Sequence, residues 1–211
     1  MKVLVACEYS GTVRDAFIRR GHEALSCDLL PTESPGPHYQ GNALDIIDNG
    51  WDLMIAHPPC TYLCVTGNKW MKDEYKERFP TRQQDRKDAI EFFLKLYNAP
   101  IDKIAIENPI GIMSTTLRKP DQIIHPYMFG HQASKSTCLW LKNLPKLKPT
   151  SIVDKGEFIT YKSGKRTAKW YADAASLSPK ERARIRNITF QGIADAMADQ
   201  WGSTEINLFD L

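Results

Sequence analysis

The stretch that most constrains this chain is residues 52–64, Asp52-Leu53-Met54-Ile55-Ala56-His57-Pro58-Pro59-Cys60-Thr61-Tyr62-Leu63-Cys64. Leu53 to Ala56 is an unbroken apolar run, the mark of a short strand buried on both faces. Pro58 and Pro59 then stop it, because neither has an N–H to give a sheet ladder. The prolines stiffen the backbone just past the strand end, so Cys60 stands on a rigid elbow. In open α/β sheets chemistry collects at the carboxyl ends of strands. A cysteine there is a candidate nucleophile, against the plainer reading of a small buried thiol.

The flanking sequence repeats the arrangement. Lys2 to Cys7 predicts a strand, with Val3 to Ala6 a second continuous apolar run. Glu8-Tyr9-Ser10-Gly11-Thr12 is a turn, and Val13 to Arg20 predicts a helix with Val13, Ala16 and Phe17 on one face, ended by Gly21. Ala24 to Cys27 predicts a strand that closes on Asp28, an acid placed to bind a ribose hydroxyl in nucleotide-type folds. With one glycine, the turn is not the dinucleotide fingerprint. Residues 31–40 read as a Pro/Gly-rich loop, with Asp45 at a strand or loop edge beyond it. Residues 61–80 are polar and aromatic without clear period, and read as a mobile loop with one short helical turn. Residues 81–98 predict the clearest helix, with Ala89, Phe92, Phe93 and Leu96 in register. Ile101 to Ile106 is a further buried strand, and it runs into Glu107-Asn108-Pro109. Residues 110–134 read as loop and Ser136 to Leu141 as strand. Pro179 to Asn187 and Ile193 to Trp201 predict helices, the first opened by Ser178 and Glu181 as a cap, and 202–211 reads as a tail.

A chain of 211 residues suits one α/β domain. No apolar run reaches membrane-spanning length, and the N-terminal sequence has no secretory pattern. Five cysteines without regular spacing argue against a disulfide framework, so a cytoplasmic, reducing location is expected. The formal charge of +3 is uneven: residues 141–170 carry eight Lys/Arg against two acids, a local +6. Such a block suits a polyanionic partner, or is simply a solvated Lys-rich surface.

Pro58-Pro59-Cys60 and Glu107-Asn108-Pro109, each at a strand end behind a strand–helix–strand opening, resemble the DNA cytosine-5 methyltransferase family in a short, phage-type form. Cys7-x-Tyr9-x-Gly11 falls where that family has Phe-x-Gly-x-Gly. Gln132-Ala133-Ser134-Lys135-Ser136 falls at its Gln/Arg element, with Lys135 as the cation, and Asn187 matches its late Asn. The chain departs from the pattern at Tyr9, at His57 before the prolines, and at Pro109. Only about 40 residues (139–178) stand in the place of a target-recognition domain.

The resemblance implies a doubly wound α/β fold of the Rossmann-like S-adenosylmethionine-dependent methyltransferase type, with a mostly parallel sheet and helices on both faces. It implies a single catalytic domain over 1–211 with a small basic insertion at about 141–175. It also implies methyl transfer from S-adenosylmethionine to carbon 5 of cytosine, in DNA (single-stranded or duplex) or in a cytosine nucleotide. Cys60 would add to carbon 6 so that carbon 5 becomes nucleophilic. Glu107, protonated through a raised pKa in a dry pocket, would donate to ring nitrogen 3. Asn108 would hold the loop and Lys135 neutralise the exocyclic oxygen. Asp28 would bind the cofactor ribose and Asp45 the adenine amino group, while Tyr9, Ser10, Gly11, Pro58 and Asn187 would border the cofactor. Tyr161, Trp170 and Tyr171, among the basic residues, would stack bases or flank phosphates. His57 reads as packing or capping the turn. Two other readings stay open: a methyltransferase acting on an exocyclic amino group, and a binding module without turnover.

Overall fold

In the computed structural model, which describes residues 1–203, the apolar runs become interior strands of one sheet. The order is β1 (Lys2–Ala6), α1 (Thr12–Arg19), β2 (Glu23–Asp28), β3 (His38–Gln40), β4 (Leu53–Ala56), α2 (Arg82–Tyr97), β5 (Lys103–Pro109), α3 (Met113–Thr116), β6 (Gln122–Ile124) and β7 (Thr137–Lys142). There follow a separate hairpin of β8 (Phe158–Thr160) and β9 (Arg166–Ala168), then α4 (Lys169–Asp173), α5 (Pro179–Asn187) and α6 (Gln191–Gly202). Of the expected tail, residues 204–211 lie outside the described residues.

The seven-stranded sheet runs β3-β2-β1-β4-β5-β7-β6. The first five strands are mutually parallel, and β7 lies antiparallel between β5 and β6. This is the doubly wound, Rossmann-like architecture expected from the sequence, a mostly parallel sheet with helices on both faces. The chain winds outward through β1, β2 and β3 and then returns to β4. The order therefore reverses between β1 and β4, and a crevice opens there at the carboxyl ends of the strands.

Strand pleat sorts the core into two layers, because successive side chains face opposite sides. Val3, Val5, Leu53, Ile55, Leu139 and Leu141 pack with α1 and α6, including Phe17, Met197 and Trp201. Leu4, Ala6, Met54, Ala56, Ile104 and Ile106 pack on the other side with Phe93 and Leu96 of α2 and with Trp140. The stripe Ala194, Met197, Ala198 and Trp201 is fully in the core. Ser178 and Glu181 form the reciprocal cap expected at α5.

Three segments differ from the sequence expectation. Residues 38–40 leave the Pro/Gly loop and add β3 beside β2. The loop before β3 is fixed by Arg14, fully buried, whose guanidinium donates to Ser26 Oγ (3.1 Å), Thr32 Oγ1 (3.3 Å) and the carbonyls of Ser34 (3.0 Å), Pro35 (3.3 Å) and Pro37 (3.4 Å). Residues 61–80 form two 3₁₀ turns, Val65–Met71 and Asp73–Tyr75, gathered around Trp70, which meets Tyr75 and Phe79 edge-on. Arg86 of α2 ties that segment down through Tyr62 O (2.9 Å) and Asn68 Oδ1 (2.7 Å). Residues 110–134 hold α3 and β6 rather than loop alone. No helix among the described residues is long and apolar enough to cross a membrane.

Candidate active site

The Pro-Pro-Cys and Glu-Asn-Pro segments meet because β4 and β5 are neighbours in parallel register. Ala56 pairs with Ile106, so the next residues, His57 and Glu107, emerge side by side. His57 Nδ1 lies 3.1 Å from Glu107 Oε2. One step further, buried Asn108 donates through Nδ2 to Pro58 O at 2.8 Å and fastens the Cys60 elbow to the adjacent strand. Beyond the elbow, Val65 N–H donates to Ile110 O (3.1 Å) and Ile112 N–H to Leu63 O (2.8 Å). Gly111 lies within that seam.

These strand ends open into a cavity of about 260 Å³ at the reversal between β1 and β4. Cys60, Glu107, Asn108 and Lys135 line it together with Tyr9, Ser10, Asp28, Pro58 and Asn187. Nine of the residues singled out in the sequence therefore share one space. Two do not. Gly11 does not line the cavity: its φ of 76° starts α1, and a Cβ there would stand 2.5 Å from Arg14 Nη2. Asp45 is exposed on a short 3₁₀ turn, accepting from Tyr39 Oη at 3.3 Å, outside the cavity wall. These two expected cofactor contacts are therefore not brought to the cavity wall.

The side of the cavity formed by β1 and β2 has an informative chemistry. Cys7 takes a left-handed φ of 60°, which turns the chain sharply after β1 and buries Glu8. Glu8 accepts from the first amides of α1, Val13 N–H (2.7 Å) and Arg14 N–H (3.2 Å), and from Ser10 Oγ (3.2 Å). A helix N-terminus in this position ordinarily receives a phosphate. Here the protein's own carboxylate occupies it, which disfavours a dinucleotide or nucleoside triphosphate. Asp28, at the end of β2, is held by Leu30 N–H at 2.9 Å. An acid at the end of the second strand and a blocked phosphate position suit a ligand that places a hydroxyl, and no phosphate, at this turn.

The reactive half is a set of coupled groups. Burial alone would push the Glu107 carboxyl up. The hydrogen bond from His57 and the charges of Lys135 and His57 outweigh it and hold the carboxyl below its ordinary value. The expectation of a raised pKa is thus overturned, because the sequence alone did not show that His57 would lie against the carboxyl. The Cys60 thiol is pushed up by its hydrogen bond to Cys64, by burial and by the charges of Cys64 and Glu107, with Lys135 opposing. Cys64 is held down to about 5 by the Cys60 thiol against burial, helped by the Thr66 hydroxyl (3.0 Å) and the amides of Gly67 and Thr66. Lys135 Nζ donates to Arg186 O at 3.0 Å and joins the site to α5, whose last residues close the cavity.

The basic segment reaches the site at the same place. Trp170 Nε1 donates to Ser134 O (3.2 Å), and its ring meets Tyr171 and Phe190 edge-on. Trp170 is an anchor for the β8–β9 hairpin rather than a free stacking surface. Tyr171 carries the Arg186 guanidinium at 3.6 Å from its ring centre, whereas Tyr161 is exposed.

No family model matches the chain, and no curated protein matches it. Among solved structures it is similar to a triple-alanine mutant of DNMT2 from Spodoptera frugiperda, at 16% identity and a TM-score of 0.43, over 73% of this chain and 54% of that one. The chain spans about half the length of that relative. Likeness at this level transfers no residue roles.

Proposed function

We propose that this protein transfers a methyl group from S-adenosylmethionine to carbon 5 of a pyrimidine in DNA or a nucleotide, through a covalent adduct on Cys60; cytosine is the base the family resemblance implies. The observation that carries this reading is the meeting of Cys60 and Glu107, from adjacent parallel strands, in the cavity that also holds Asp28 and the phosphate-blocked turn. Binding alone would need no nucleophile on a braced elbow. An amino-group methyltransferase would need neither the thiol nor Glu107.

When bound, S-adenosylmethionine supplies an electrophilic methyl group. Asp28 binds the ribose hydroxyls, and Tyr9, Ser10 and Pro58 border the remainder. Cys60 adds to ring carbon 6: its S–H proton passes to the Cys64 thiolate, the sulfur–carbon bond forms, and the carbon 5–carbon 6 π pair moves into the ring. Lys135 offsets the charge that develops there. Asn108 keeps the elbow aimed, so the sulfur arrives oriented rather than by chance. After methyl transfer, loss of the carbon 5 proton restores the double bond and expels Cys60.

The test is calorimetry of S-adenosylmethionine binding to wild type and Asp28→Ala. Micromolar binding weakened about 10- to 100-fold in the variant is expected, the usual cost of losing a hydrogen bond to a charged group. Absence of binding in the wild-type protein would overturn the reading.

A further inference from the structure

Resting on that reading, we infer that Arg186 is the phosphate-binding residue of the cavity: its guanidinium, seated 3.6 Å over the Tyr171 ring and paired with no carboxylate among the described residues, takes a phosphate ester of the substrate, whether a strand phosphodiester or the phosphate of a free nucleotide.

A nucleotide whose base reaches Cys60 brings at least one phosphate to the cavity, and that charge needs a partner. A helix N-terminus is the usual one. Here the first amides of α1, Val13 N–H (2.7 Å) and Arg14 N–H (3.2 Å), are already held by Glu8. Glu8, Asp28 and Glu107 line the cavity as acids, so none of them receives an anion. The lysine and arginine of the lining are Lys135 and Arg186, and they meet: Lys135 Nζ donates to Arg186 O at 3.0 Å. Lys135 is the near cation of Cys60 and Glu107, and belongs to the reacting groups. Arg186 is left for the phosphate.

The other arginines of α5 are spent on the protein. Arg184 Nε donates to both carboxylate oxygens of Glu33, at 2.8 and 2.9 Å, and Arg182 Nη2 donates to Leu177 O at 3.0 Å. Arg186 is fixed without being neutralised. Its Nη2 donates to Tyr171 O at 2.8 Å, and the ring of the same tyrosine supports the guanidinium from below. Its Nε is buried without a partner, whereas Nη1 makes no hydrogen bond among the described residues and is not enclosed. Nη1 is therefore the edge that remains for an acceptor. A stacked, planar guanidinium suits a phosphate, and one already ordered loses little rotamer freedom on binding it. Tyr171 lies on α4, directly after the β8–β9 hairpin, so Arg186 faces the side on which the basic segment lies. Tyr171 then serves as the arginine's platform rather than as a surface for a base.

The test is binding by wild type, Arg186→Gln and Arg186→Lys. A labelled single-stranded oligonucleotide is followed by anisotropy across a salt series. Calorimetry compares 2′-deoxycytidine 5′-monophosphate with 2′-deoxycytidine, and measures S-adenosylmethionine separately. Arg186→Gln should weaken oligonucleotide binding about 10- to 100-fold, the scale of a hydrogen bond to a charged group. It should also make the slope of log K against log salt shallower by about 0.7, one phosphate's worth. Arg186→Lys should keep the slope and recover part of the affinity. That pattern assigns a strand phosphodiester; the same loss for the monophosphate but not the nucleoside, in protein that binds no oligonucleotide, assigns a free nucleotide. Equal binding of both probes by wild type and Arg186→Gln would overturn the inference and leave methyl transfer standing. Wild-type protein that binds the cofactor but neither probe would overturn the proposed substrate and this inference with it. Cofactor affinity that falls in Arg186→Gln while probe binding holds would put the guanidinium on the carboxylate of S-adenosylmethionine, against the inference. Loss of cofactor and probe together in both variants would make Arg186 a structural tie, and would overturn it too.

Discussion

Glu107 is where the chemistry of this chain turns on a neighbour. Its carboxyl is depressed in the folded protein, so ionised Glu107 stabilises the fold above the unfolded value near 4.5, and that contribution disappears as pH falls through the lower folded value. Glu107→Gln should therefore cost about 1–2 kcal/mol at pH 7, and the gap to wild type should close below pH 4.5. Urea unfolding of both proteins at pH 7 and at pH 4 measures it; a gap that widens in acid would mean a raised carboxyl instead. The sequence shows Cys60, Glu107 and Asn108 as strand-end residues because apolar runs deliver them there. It does not show the His57 contact, since residues 50 apart become neighbours only once β4 is known to lie beside β5. Nor does it show the low thiol of Cys64 or the capping by Glu8, both set by amides that a turn aims at them.

Among the elements, the long apolar runs were legible and the short ones were not. β1, β4, β5 and β7 are built on continuous hydrophobic runs buried on both faces, and β2 on the shorter run ending at Cys27. β3 and β6 are three-residue edge strands with exposed positions, and β8 and β9 are largely exposed too, so none leaves a pattern to find. The seam beneath the Cys60 elbow was equally hidden, although one glycine governs it. A Cβ on Gly111 would stand 2.0 Å from Leu63 O and 2.9 Å from Cys64 Cα, backbone atoms that cannot swing away. Gly111→Ala should cost about 3 kcal/mol or more and displace the elbow. Gly21→Ala is the control: its φ is 80° but nothing lies within 4 Å of the added methyl, so only backbone strain of about 1 kcal/mol applies. Equal costs for the two, measured by denaturant unfolding, would show that the seam yields.

At the scale of the molecule, a near-neutral α/β body carries a cationic hairpin whose following helix is tied to the residue beside Lys135. The two are joined through Trp170 to Ser134 and through Lys135 to Arg186, so the hairpin's anchor is adjacent in sequence to the ammonium in the site. Lys162 and Lys165 sit exposed in the β8–β9 turn, clear of ion pairs among the described residues. If a nucleic acid strand runs over this hairpin into the cavity, each lysine neutralises about one phosphate and releases its counterions. Binding then weakens with salt by a slope of about −0.7 per contact for a single strand and −0.9 for a duplex. Lys162→Gln with Lys165→Gln should thus make the slope of log K against log salt shallower by roughly 1.4 to 1.8. S-adenosylmethionine binding should not change, because neither lysine lines the cavity. Fluorescence anisotropy of a labelled oligonucleotide across a salt series, beside cofactor calorimetry, separates the two effects. A parallel slope in the double variant would move the polyanion contact off the hairpin and on to the cations of α2 and its preceding turns, where Arg78 and Arg82 already lie over Trp70, Tyr62 and Phe79.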